Sequence, residues 1–416
     1  MKKVAIIGGG AAGLMAAVGV LEKGAIPVIF EKNKKLGIKL LITGKGRCNI
    51  TNNLEIPDFV DNFPGNGSFL YSSLYNFSNQ HLLDFFAELN IPTKIERGGR
   101  FFPASDKAED VVNALTDYII KKGAQIKYNI KVEQLWIEDG RLMGIKAANN
   151  FYKFASAIIA TGGLSYPKTG STGDGYKLAR EAGHTIIDTF PSLVPLKTKE
   201  LWVKQAQGLT LKNVQVSAFW HEKELGSEFG EMLFTHFGIS GPIILSLSRT
   251  IVQTLKTRGG PIKLRINLKP ALDFAQLDAR LQRIFSECSR KQYKNTLDTL
   301  FPKSLIEPMI LLSGIDPLKP AHQISKEERT RFGKLIQNLE LTVIGFSSYD
   351  EAIVTAGGIN VKEVDPSTME SKLIKGLFFA GEVLDIDGYT GGYNLQAAFS
   401  TGYLAGQSGG QKAIDN

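Results

Sequence analysis

The chain has 416 residues, 43% of them hydrophobic, and its 49 Lys and Arg against 41 Asp and Glu give a formal net charge of +8. No apolar stretch reaches the length of about 18 residues needed to span a membrane, and two cysteines, Cys48 and Cys288, are too few for a disulfide framework. Neither the cysteines nor the five scattered histidines have metal-ligand spacing, so we expect a cytoplasmic protein without a metal site.

The first predicted elements are a strand, a glycine-rich turn, a helix and a second strand. Val4 to Ile7 is a short apolar run, and the pattern Gly8-x-Gly10-x-x-Gly13 follows it directly. Gly8 permits a tight turn, Gly10 lets the backbone approach a pyrophosphate, and Gly13 allows the helix to pack closely on the strand. In this strand–helix–strand context the pattern predicts a dinucleotide site.

The helix start and the end of the second strand supply the polar groups of this site. Ala11 and Ala12 lie where a helix N-terminus presents unpaired N–H groups and a positive dipole end to phosphates. The second strand, Ile26 to Phe30, ends in Glu31, whose carboxylate is expected to accept hydrogen bonds from ribose hydroxyls. An acidic residue at this point disfavours a 2′-phosphate, which argues against NADP.

A polar segment, TGKGRCNITN, occupies positions 43–52 and places Cys48 beside Arg47. Its two glycines let the backbone approach a flat ring, and successive N–H groups can form an anion-binding nest. Lys45 and Arg47 would neutralise a pyrophosphate or a reduced cofactor, and Asn49 offers a short hydrogen-bonding amide. The flanking cations predict a lowered pKa for Cys48, suited to a proton donor or a redox thiol. The alternative is that Cys48 is only a small packed side chain.

The next candidates lie around a second glycine-rich turn. ASAIIATGG, residues 155–163, predicts a buried strand that breaks into glycines after Thr161. Tyr166 and Lys168 follow it and are candidates for the mouth of the site. Upstream, Arg100 in GGRFFP either clamps an anionic substrate or forms a buried salt bridge.

The middle of the chain has a different pattern and carries the net charge. From position 191 to 345 there are 22 Lys and Arg and 14 Asp and Glu, which leaves 27 basic and 27 acidic residues for the rest. Short alternating runs such as GPIKLRINLKP predict strands, and helical spacing follows from Leu277 to Leu312. A basic segment is typical of a solvated face, but it also suits a polyanion. His236, in a glycine-rich turn, is either an acid or substrate ligand or a structural histidine.

The C-terminal region again combines a strand, a turn and a helix. LIKGLFFAGEVLDIDGYTGGYNLQAAFSTGYLAG reads as a strand, an acidic turn, a glycine pair and a helix from about Tyr393, although GYTGGYN alone would also suit a hairpin loop. With the ATGG turn, this region resembles the ATG and GE/D signatures of the two-dinucleotide-binding flavoproteins. In those proteins FAD runs from the N-terminal unit to a C-terminal helix whose N-terminus faces the flavin pyrimidine.

Five longer motifs narrow the resemblance to one family. The chain is similar over nearly its whole length to the BaiN/RdsA family of flavoproteins, the aminoacetone-oxidase-like group, in the motifs GIKLLITGKGRCNITN, GGRFFPASDKAEDVV, ATGGLSYPKTGSTGDGYKLAREAGH, GEMLFTHFGISGPIIL and VTAGGINVKEVDPSTMESKLIKGLFFAGEVLDIDGYTGGYNLQAAFSTG. STGDGYKLAREAGH also resembles a segment of fumarate-reductase-type flavoproteins. The resemblance implies an α/β fold in which a Rossmann-like FAD-binding domain (1–190 and 346–416) is interrupted by an insert. That insert, 191–345, would be β-barrel-like, with a helical subdomain at about 272–335.

The resemblance also implies a set of FAD-binding residues. By it, Glu382 and Asp385 approach the ribityl and pyrophosphate region, and the N–H groups of residues 392–395 point at flavin N1 and O2. The complete expected set is Gly8, Gly10, Ala11, Ala12, Gly13, Glu31, Lys32, Lys39, Gly44, Arg47, Cys48, Asn49, Val132, Thr161, Gly162, Gly381, Glu382, Asp385, Gly392, Tyr393, Asn394 and Leu395.

We therefore predict an FAD-dependent oxidoreductase, with Cys48 and His236 as the catalytic candidates. One substrate hypothesis, implied by the family, is a uridine in ribosomal RNA, reduced to dihydrouridine while the basic insert holds the phosphate backbone. The second is a small enone or steroid-like molecule, and the third is a flavin-bearing binding protein without turnover. Because a second GxGxxG is absent, NAD(P)H would dock only transiently or be replaced by another donor. The oligomeric state stays open.

Overall fold

The computed structural model describes residues 2–415, and the chain divides into two compact units. The first unit contains the residues up to Pro191 and those from Ala352 onward, and the second is Ser192–Glu351. The first unit is therefore built from both ends of the chain.

The strands are mostly short, and several have only two to four residues. In chain order they are β1 (Lys3–Ile7), β2 (Ile26–Glu31), β3 (Thr51–Asn52), β4 (Thr93–Glu96), β5 (Arg100–Pro103), β6 (Gln125–Tyr128), β7 (Val132–Glu138), β8 (Arg141–Ala147), β9 (Asn150–Lys153), β10 (Ala157–Ile159), β11 (Ile186–Ser192), β12 (Leu196–Thr198), β13 (Thr210–Trp220), β14 (Lys223–Phe234), β15 (Gly238–Ser240), β16 (Ile262–Asn267), β17 (Leu339–Phe346), β18 (Val354–Ile359) and β19 (Leu377–Phe379).

The α-helices range from one turn to more than six turns. In chain order they are α1 (Ala11–Glu22), α2 (Ile38–Ile42), α3 (Ile56–Val60), α4 (Tyr71–Asn76), α5 (Asn79–Glu88), α6 (Ala108–Lys121), α7 (Asp174–Glu181), α8 (Pro242–Thr257), α9 (Phe274–Glu287), α10 (Lys303–Ser313), α11 (Lys326–Gln337) and α12 (Tyr393–Asp415). Within residues 2–415, none of them is both long and apolar enough to cross a membrane.

A parallel sheet forms the centre of the first unit. Its strand order is β19-β10-β1-β2-β6, and Ala5 of the middle strand pairs with Val28 on one side and Ala157 on the other. Val4, Ala5 and Ile6 are fully buried, as expected for a parallel strand that is covered on both faces. Three smaller sheets, β3-β5-β4, β7-β8-β9 and β11-β18, complete this unit.

Helices α1 and α12 pack against each other in the same direction. A Cβ at Gly402 would lie 2.3 Å from the carbonyl oxygen of Ala12, and one at Gly406 would lie 2.1 Å from that of Ala16. Larger side chains at these two positions would force the helices apart. The contact partner moves from Ala12 to Ala16 as the position on α12 moves from Gly402 to Gly406, so the two helices are parallel. Their positive dipole ends therefore point the same way.

The second unit combines a barrel with a group of helices. Six strands close in the order β12-β15-β14-β13-β16-β17, and alternate residues of β16, Ile262, Leu264 and Ile266, are fully buried. Helices α9 and α11 begin with capping boxes at Asp273 and Ser325. The predicted fold class, a Rossmann-type sheet together with a β-barrel-like part, is confirmed.

Candidate cofactor site

The glycine turn between β1 and α1 has the geometry of a phosphate cradle. Gly8 has φ +104°, and a Cβ there would lie 2.6 Å from the carbonyl oxygen of Ala160. A Cβ at Gly13 would lie 1.9 Å from the carbonyl oxygen of Gly8, whereas one at Gly10 would meet no atom within 4 Å. Side chains are thus excluded at Gly8 and Gly13 by packing, while Gly10 borders open space.

The start of α1 leaves its first N–H groups without a capping side chain. Gly10 is the N-cap residue, and the first turn, which includes Ala11 and Ala12, contains no acidic side chain. The first N–H groups of a helix have no acceptor inside the helix, and the dipole favours an anion beside them. The cradle therefore fits the pyrophosphate of a dinucleotide.

Glu31 closes the other side of this turn. Its carboxylate is buried and accepts hydrogen bonds from the N–H groups of Gly9 and Asn33, each at 2.8 Å. Each carboxylate oxygen keeps a second lone pair, so it can also accept a ribose hydroxyl. The N–H of Ile130 donates to the carbonyl oxygen of Glu31 at 3.0 Å, which brings the start of β7, the buried Val132, to the same end of β2.

Lys32 is used in an ion-pair cluster at the start of α7. Its Nζ lies 2.6 Å from Asp174 Oδ2 and 2.5 Å from Thr172 Oγ1, and Lys131 Nζ lies 2.6 Å from Asp174 Oδ1. Burial raises the pKa of Asp174, but the hydrogen bonds from Lys131 and Lys32 outweigh this and lower it overall. The charge of Lys32 is therefore balanced by protein.

Lys39 and Glu382, both predicted site residues, are brought together by the fold. Lys39 Nζ lies 2.5 Å from Glu382 Oε2 and 2.6 Å from Ser165 Oγ. The other oxygen of Glu382 accepts hydrogen bonds from the hydroxyl of Ser165 at 2.7 Å and from the N–H of Thr355 at 2.9 Å. Neither Ser165 nor Thr355 was predicted, since nothing in their local sequence spacing indicates this network.

The turn after β10 adjoins the phosphate cradle. Gly162 has φ +70°, and a Cβ at Gly8 would lie 3.1 Å from the Cα of Thr161. Thr161 Oγ1 would lie 2.2 Å from a Cβ at Gly175, so this turn packs against the first turn of α7. Tyr166 is half-buried with φ +51°, and Lys168 is exposed.

Arg47 does not have the free charge that the sequence suggested. Its guanidinium donates to Glu96 and to Asp106, with Nη2 2.6 Å from Asp106 Oδ1, and it lies 4.2 Å from the centre of the Phe102 ring. Hydrogen bonds from Arg47 lower the pKa of Glu96, and those from Lys94 and Arg47 lower the pKa of Asp106. Because two carboxylates already neutralise Arg47, this arrangement does not favour its expected role in neutralising a pyrophosphate or reduced flavin, and that role stays a prediction.

Cys48 does not have the acidic thiol that was predicted for it. The residue is fully buried among core side chains and has φ +61°. Burial raises the pKa of the thiol to about 12, and the hydrogen bond with Thr43 offsets only part of this. The predicted lowered pKa is wrong, because the cations adjacent in sequence do not replace the solvation that the thiol loses. A thiol enclosed in this way contacts protein, which favours the packing alternative over a proton donor.

Asn49 contacts the glycine pair near the C-terminus. The amide orientation that satisfies its neighbours lets Oδ1 accept from the N–H of Gly392 at 2.9 Å and Nδ2 donate to the carbonyl oxygen of Phe101 at 3.2 Å. The N–H of Gly392 is therefore directed at Asn49, whereas the sequence stretch was expected to turn it towards the flavin. Gly44, with φ +56°, lies close by along the same segment, where a Cβ would be 3.3 Å from the N–H nitrogen of Asn49.

The start of α12 keeps the other predicted N–H groups. Gln396 N–H donates to the carbonyl oxygen of Gly392 at 3.2 Å, so Tyr393, Asn394 and Leu395 form the first turn, and no acidic side chain lies in it. Two further predicted residues precede this helix. Gly381 N–H donates to Thr401 Oγ1 at 3.0 Å, and the Asp385 carboxylate accepts from Asn66 Nδ2 at 2.9 Å.

The remaining candidates are Arg100, half-buried at the start of β5, and His236. Arg100 donates to the carbonyl oxygen of Arg97 at 3.0 Å and approaches the Phe102 ring, with the guanidinium carbon 5.7 Å from its centre. His236 belongs to the second unit, where it is exposed between β14 and β15 and packs edge-on against Phe237. The part of the chain that the structure describes holds no group of three His, Cys, Asp or Glu side chains placed to bind a metal.

Comparison with known proteins gives one family and several relatives. The family model described as HI0933-like protein Rossmann domain matches residues 2–408. The chain is 34% identical over 414 residues to a 3-dehydro-bile acid delta(4,6)-reductase of Clostridium scindens, covering 99% of this chain and 100% of that one. It is 32% identical over 408 residues to a ribosomal RNA dihydrouridine synthase of Haemophilus influenzae, covering 97% of both.

A solved structure resembles the fold as a whole. The 3-ketosteroid delta1-dehydrogenase from Sterolibacterium denitrificans, in complex with 1,4-androstadiene-3,17-dione, superposes with a TM-score of 0.54 and 11% sequence identity, covering 100% of both chains. At this identity the likeness shows a shared fold.

Proposed function

The chain belongs to the HI0933-like Rossmann family and is an FAD-dependent oxidoreductase, and we propose that it uses reduced FAD to saturate a polarised C=C bond of its substrate. The observation that carries this proposal is the pair of parallel helices α1 and α12. Each helix begins directly after a glycine, Gly10 or Gly392, and the two N-termini point the same way. One would face the pyrophosphate and the other the flavin. Bound FAD would supply the hydride at N5.

The residues of the first unit fit the parts of FAD in turn. The N–H groups at Ala11 and Ala12 would hold the pyrophosphate, and the free lone pairs of Glu31 would accept the ribose hydroxyls. The N–H groups of residues 393–395 would face the flavin pyrimidine, where negative charge accumulates on reduction. Lys39, Ser165 and Glu382 would hold the turns on either side of the cofactor at a fixed separation.

We propose a uridine in ribosomal RNA as the substrate. The relative from H. influenzae is named for dihydrouridine formation and covers 97% of this chain. The second unit has 22 basic and 14 acidic residues between positions 191 and 345, which suits a phosphate backbone. Four of these cations, Arg283, Arg290, Lys291 and Lys294, are exposed on or just after α9.

A small enone is the second candidate substrate. The 34% identity to the bile acid reductase over 99% of this chain favours it, because that name also describes reduction of C=C bonds. The two substrates need the same hydride chemistry and differ in what surrounds the reacting ring. Only an RNA substrate requires contacts to several phosphates, so only that reading assigns a role to the exposed cations near α9.

Three further assignments rest on this proposal. His236, being exposed, is preferred over the buried Cys48 as the proton donor. NAD(P)H would reach the flavin only by transient docking, because the sequence has one GxGxxG pattern. A ribosomal RNA substrate would place the protein in the cytoplasm.

The deciding experiment is mass spectrometry of ribosomal RNA from a strain that lacks the gene. We expect the loss of a two-hydrogen addition at one uridine and its return when the wild-type gene is restored. A parallel assay incubates the purified holoenzyme with a 3-keto-4-ene steroid and a reductant and measures turnover of the steroid. An unchanged RNA with turnover of the steroid would replace the first substrate by the second.

A further inference from the structure

Two asparagines hold the glycine pair that precedes α12 from both sides. Asn49 Oδ1 accepts a hydrogen bond from the N–H of Gly392 at 2.9 Å. Asn52 Nδ2 donates to the carbonyl oxygen of Gly391 at 3.0 Å and to that of Gly98 at 2.9 Å. The N–H of one glycine and the C=O of the other are thus fixed by side chains from a segment more than 300 positions earlier.

The glycine pair is also pressed against β3. A Cβ at Gly392, which has φ +99°, would lie 2.4 Å from the carbonyl oxygen of Thr51. A Cβ at Gly391 would lie 2.5 Å from the ring of Tyr393. Both positions are glycines, so no side chain keeps the backbone of the turn away from the amides of Asn49 and Asn52. The hydrogen bonds of these amides then determine the orientation of the turn.

A third asparagine fixes the beginning of the same loop. Asn394 accepts from the N–H of Gly388 at 2.8 Å and donates to the carbonyl oxygens of Gly388 at 2.7 Å and Tyr389 at 3.2 Å. The loop from Gly388 to Gly392 is therefore held at both ends before the helix begins. Its conformation sets the direction of the first N–H groups of α12.

Within the part of the chain that the structure describes, the side-chain amide of Asn52 has a hydrogen-bond partner for its nitrogen but none for its oxygen. Its Oδ1 is buried and has no hydrogen-bond partner among residues 2–415. Such a group costs free energy, and an apolar side chain of similar shape would avoid that cost. A requirement for the Nδ2 donor, which holds Gly391, accounts for an amide at this position.

We propose that Asn49 and Asn52 are positioning residues for the flavin: they orient the Gly391–Gly392 turn so that the N–H groups at the start of α12 face the flavin pyrimidine and favour its reduced form. This inference rests on the proposed function, because it needs FAD in the first unit. The helix supplies partial positive charge, and the turn determines where that charge points. Neither asparagine needs to touch the substrate.

The test measures the midpoint potential of the bound flavin in Asn49→Leu and Asn52→Leu by dye-coupled reduction of the holoenzyme. We expect the preference of each variant for reduced over oxidised FAD to fall about tenfold, which is a decrease of about 30 mV for a two-electron couple. The control is Asn76→Leu, whose amide donates to Gln407 of the same helix on the exposed side. Its potential should equal that of the wild type.

A smaller variant covers the case in which leucine prevents folding. Asn49→Ala removes the oxygen that accepts from Gly392 without adding bulk or charge, so its potential should also decrease. Equal potentials in wild type, Asn49→Ala and whichever leucine variants fold would overturn this inference while leaving the proposed function intact. A wild-type protein that binds no FAD would instead overturn the proposed function.

Discussion

Lys39 Nζ lies 2.5 Å from Glu382 Oε2, although 343 positions separate the two residues in the chain. The pair joins α2, which follows the phosphate cradle, to the turn after β19. Its side chains are only 22% and 19% exposed, so the ion pair is largely shielded from water. The two halves of the discontinuous first unit are thus tied together beside the candidate cofactor site.

Breaking this pair should destabilise the protein. Lys39→Met removes the charge partner of Glu382 and leaves a partly buried carboxylate with fewer hydrogen bonds, which costs about 1.5–3 kcal/mol. We expect a lower midpoint in urea unfolding and a weaker affinity for FAD. Lys177→Met is the control, because its partner Glu181 is 3.8 Å away and both side chains are exposed. Equal effects of the two substitutions on the unfolding midpoint would show that the partly buried Lys39–Glu382 pair contributes no more to stability than the exposed Lys177–Glu181 pair.

Glu31→Ala should weaken FAD binding. The carboxylate holds the glycine turn through Gly9 and would accept ribose hydroxyls, so its loss removes charge-assisted hydrogen bonds worth about 1–3 kcal/mol. Titration of the apoprotein with FAD, followed by flavin fluorescence, measures the change. The exposed Glu133→Ala serves as the control. Release of FMN rather than FAD on denaturation, or an unaltered affinity, would contradict the assignment of this site.

The two cysteines should differ in reactivity. Cys48 is fully buried with a pKa raised to about 12, whereas Cys288 is half-buried. A thiol reagent at pH 8 should therefore modify one cysteine in the native protein and two in denaturant. Cys48→Ala should keep turnover within a few-fold of the wild type. A loss of about 10²–10⁴-fold with FAD retained would restore Cys48 as the acid.

The stability of the first unit should depend on His184. Its Nδ1 lies 3.2 Å from Glu363 Oε2 and its Nε2 lies 2.8 Å from Ser371 Oγ. The Ser371 oxygen already accepts from the N–H groups of Leu373 and Ile374, so its hydroxyl donates to Nε2 and the neutral imidazole donates from Nδ1 to Glu363. Burial lowers the pKa of His184 despite the opposing effect of Glu363.

The sign of this pH dependence follows from the lowered pKa. The unfolded chain binds a proton at His184 more readily than the folded chain, so this contribution to stability is complete above about pH 6.5 and decreases as the pH falls. Melting temperatures at pH 7.5 and pH 5 measure it, and His184→Gln should reduce the difference between them. The exposed His221→Gln should leave the difference unchanged. A wild-type-like pH dependence in His184→Gln would exclude this role.

RNA binding should depend on salt and on the cations around α9. Each phosphate contact to a single strand contributes a log–log slope of about −0.7, so affinity should fall steeply with salt. Filter binding should show that the charge-reversed variant Arg280→Glu/Arg283→Glu/Arg290→Glu/Lys294→Glu loses RNA but keeps FAD. The control reverses four exposed lysines of the first unit, Lys23, Lys107, Lys121 and Lys153. A flat salt response with equal affinities would refute the RNA hypothesis.

Local sequence was sufficient for the parts of the site that lie within one contiguous segment. The turn from Gly8 to Gly13, its helix and Glu31 fall within about thirty residues, and each has a steric or hydrogen-bonding requirement that only a few residue types meet. The strands and helices of the insert follow from a change in hydrophobic period, whereas their closure into a barrel was implied only by the family resemblance. In these cases the physical cause acts between near neighbours in the chain.

The tertiary structure decided which charges and thiols remain free. Arg47 and Cys48 are adjacent in sequence, yet Glu96 and Asp106 neutralise one and the core encloses the other. Likewise, Asn49 and Asn52 hold Gly391 and Gly392, which no local spacing could indicate. The pKa of a group and the partner of an amide depend on burial and on atoms within a few ångströms, and the fold brings those atoms together from distant positions. The sequence by itself therefore determined the cofactor class and the architecture, whereas the folded chain determined the electrostatics of the site.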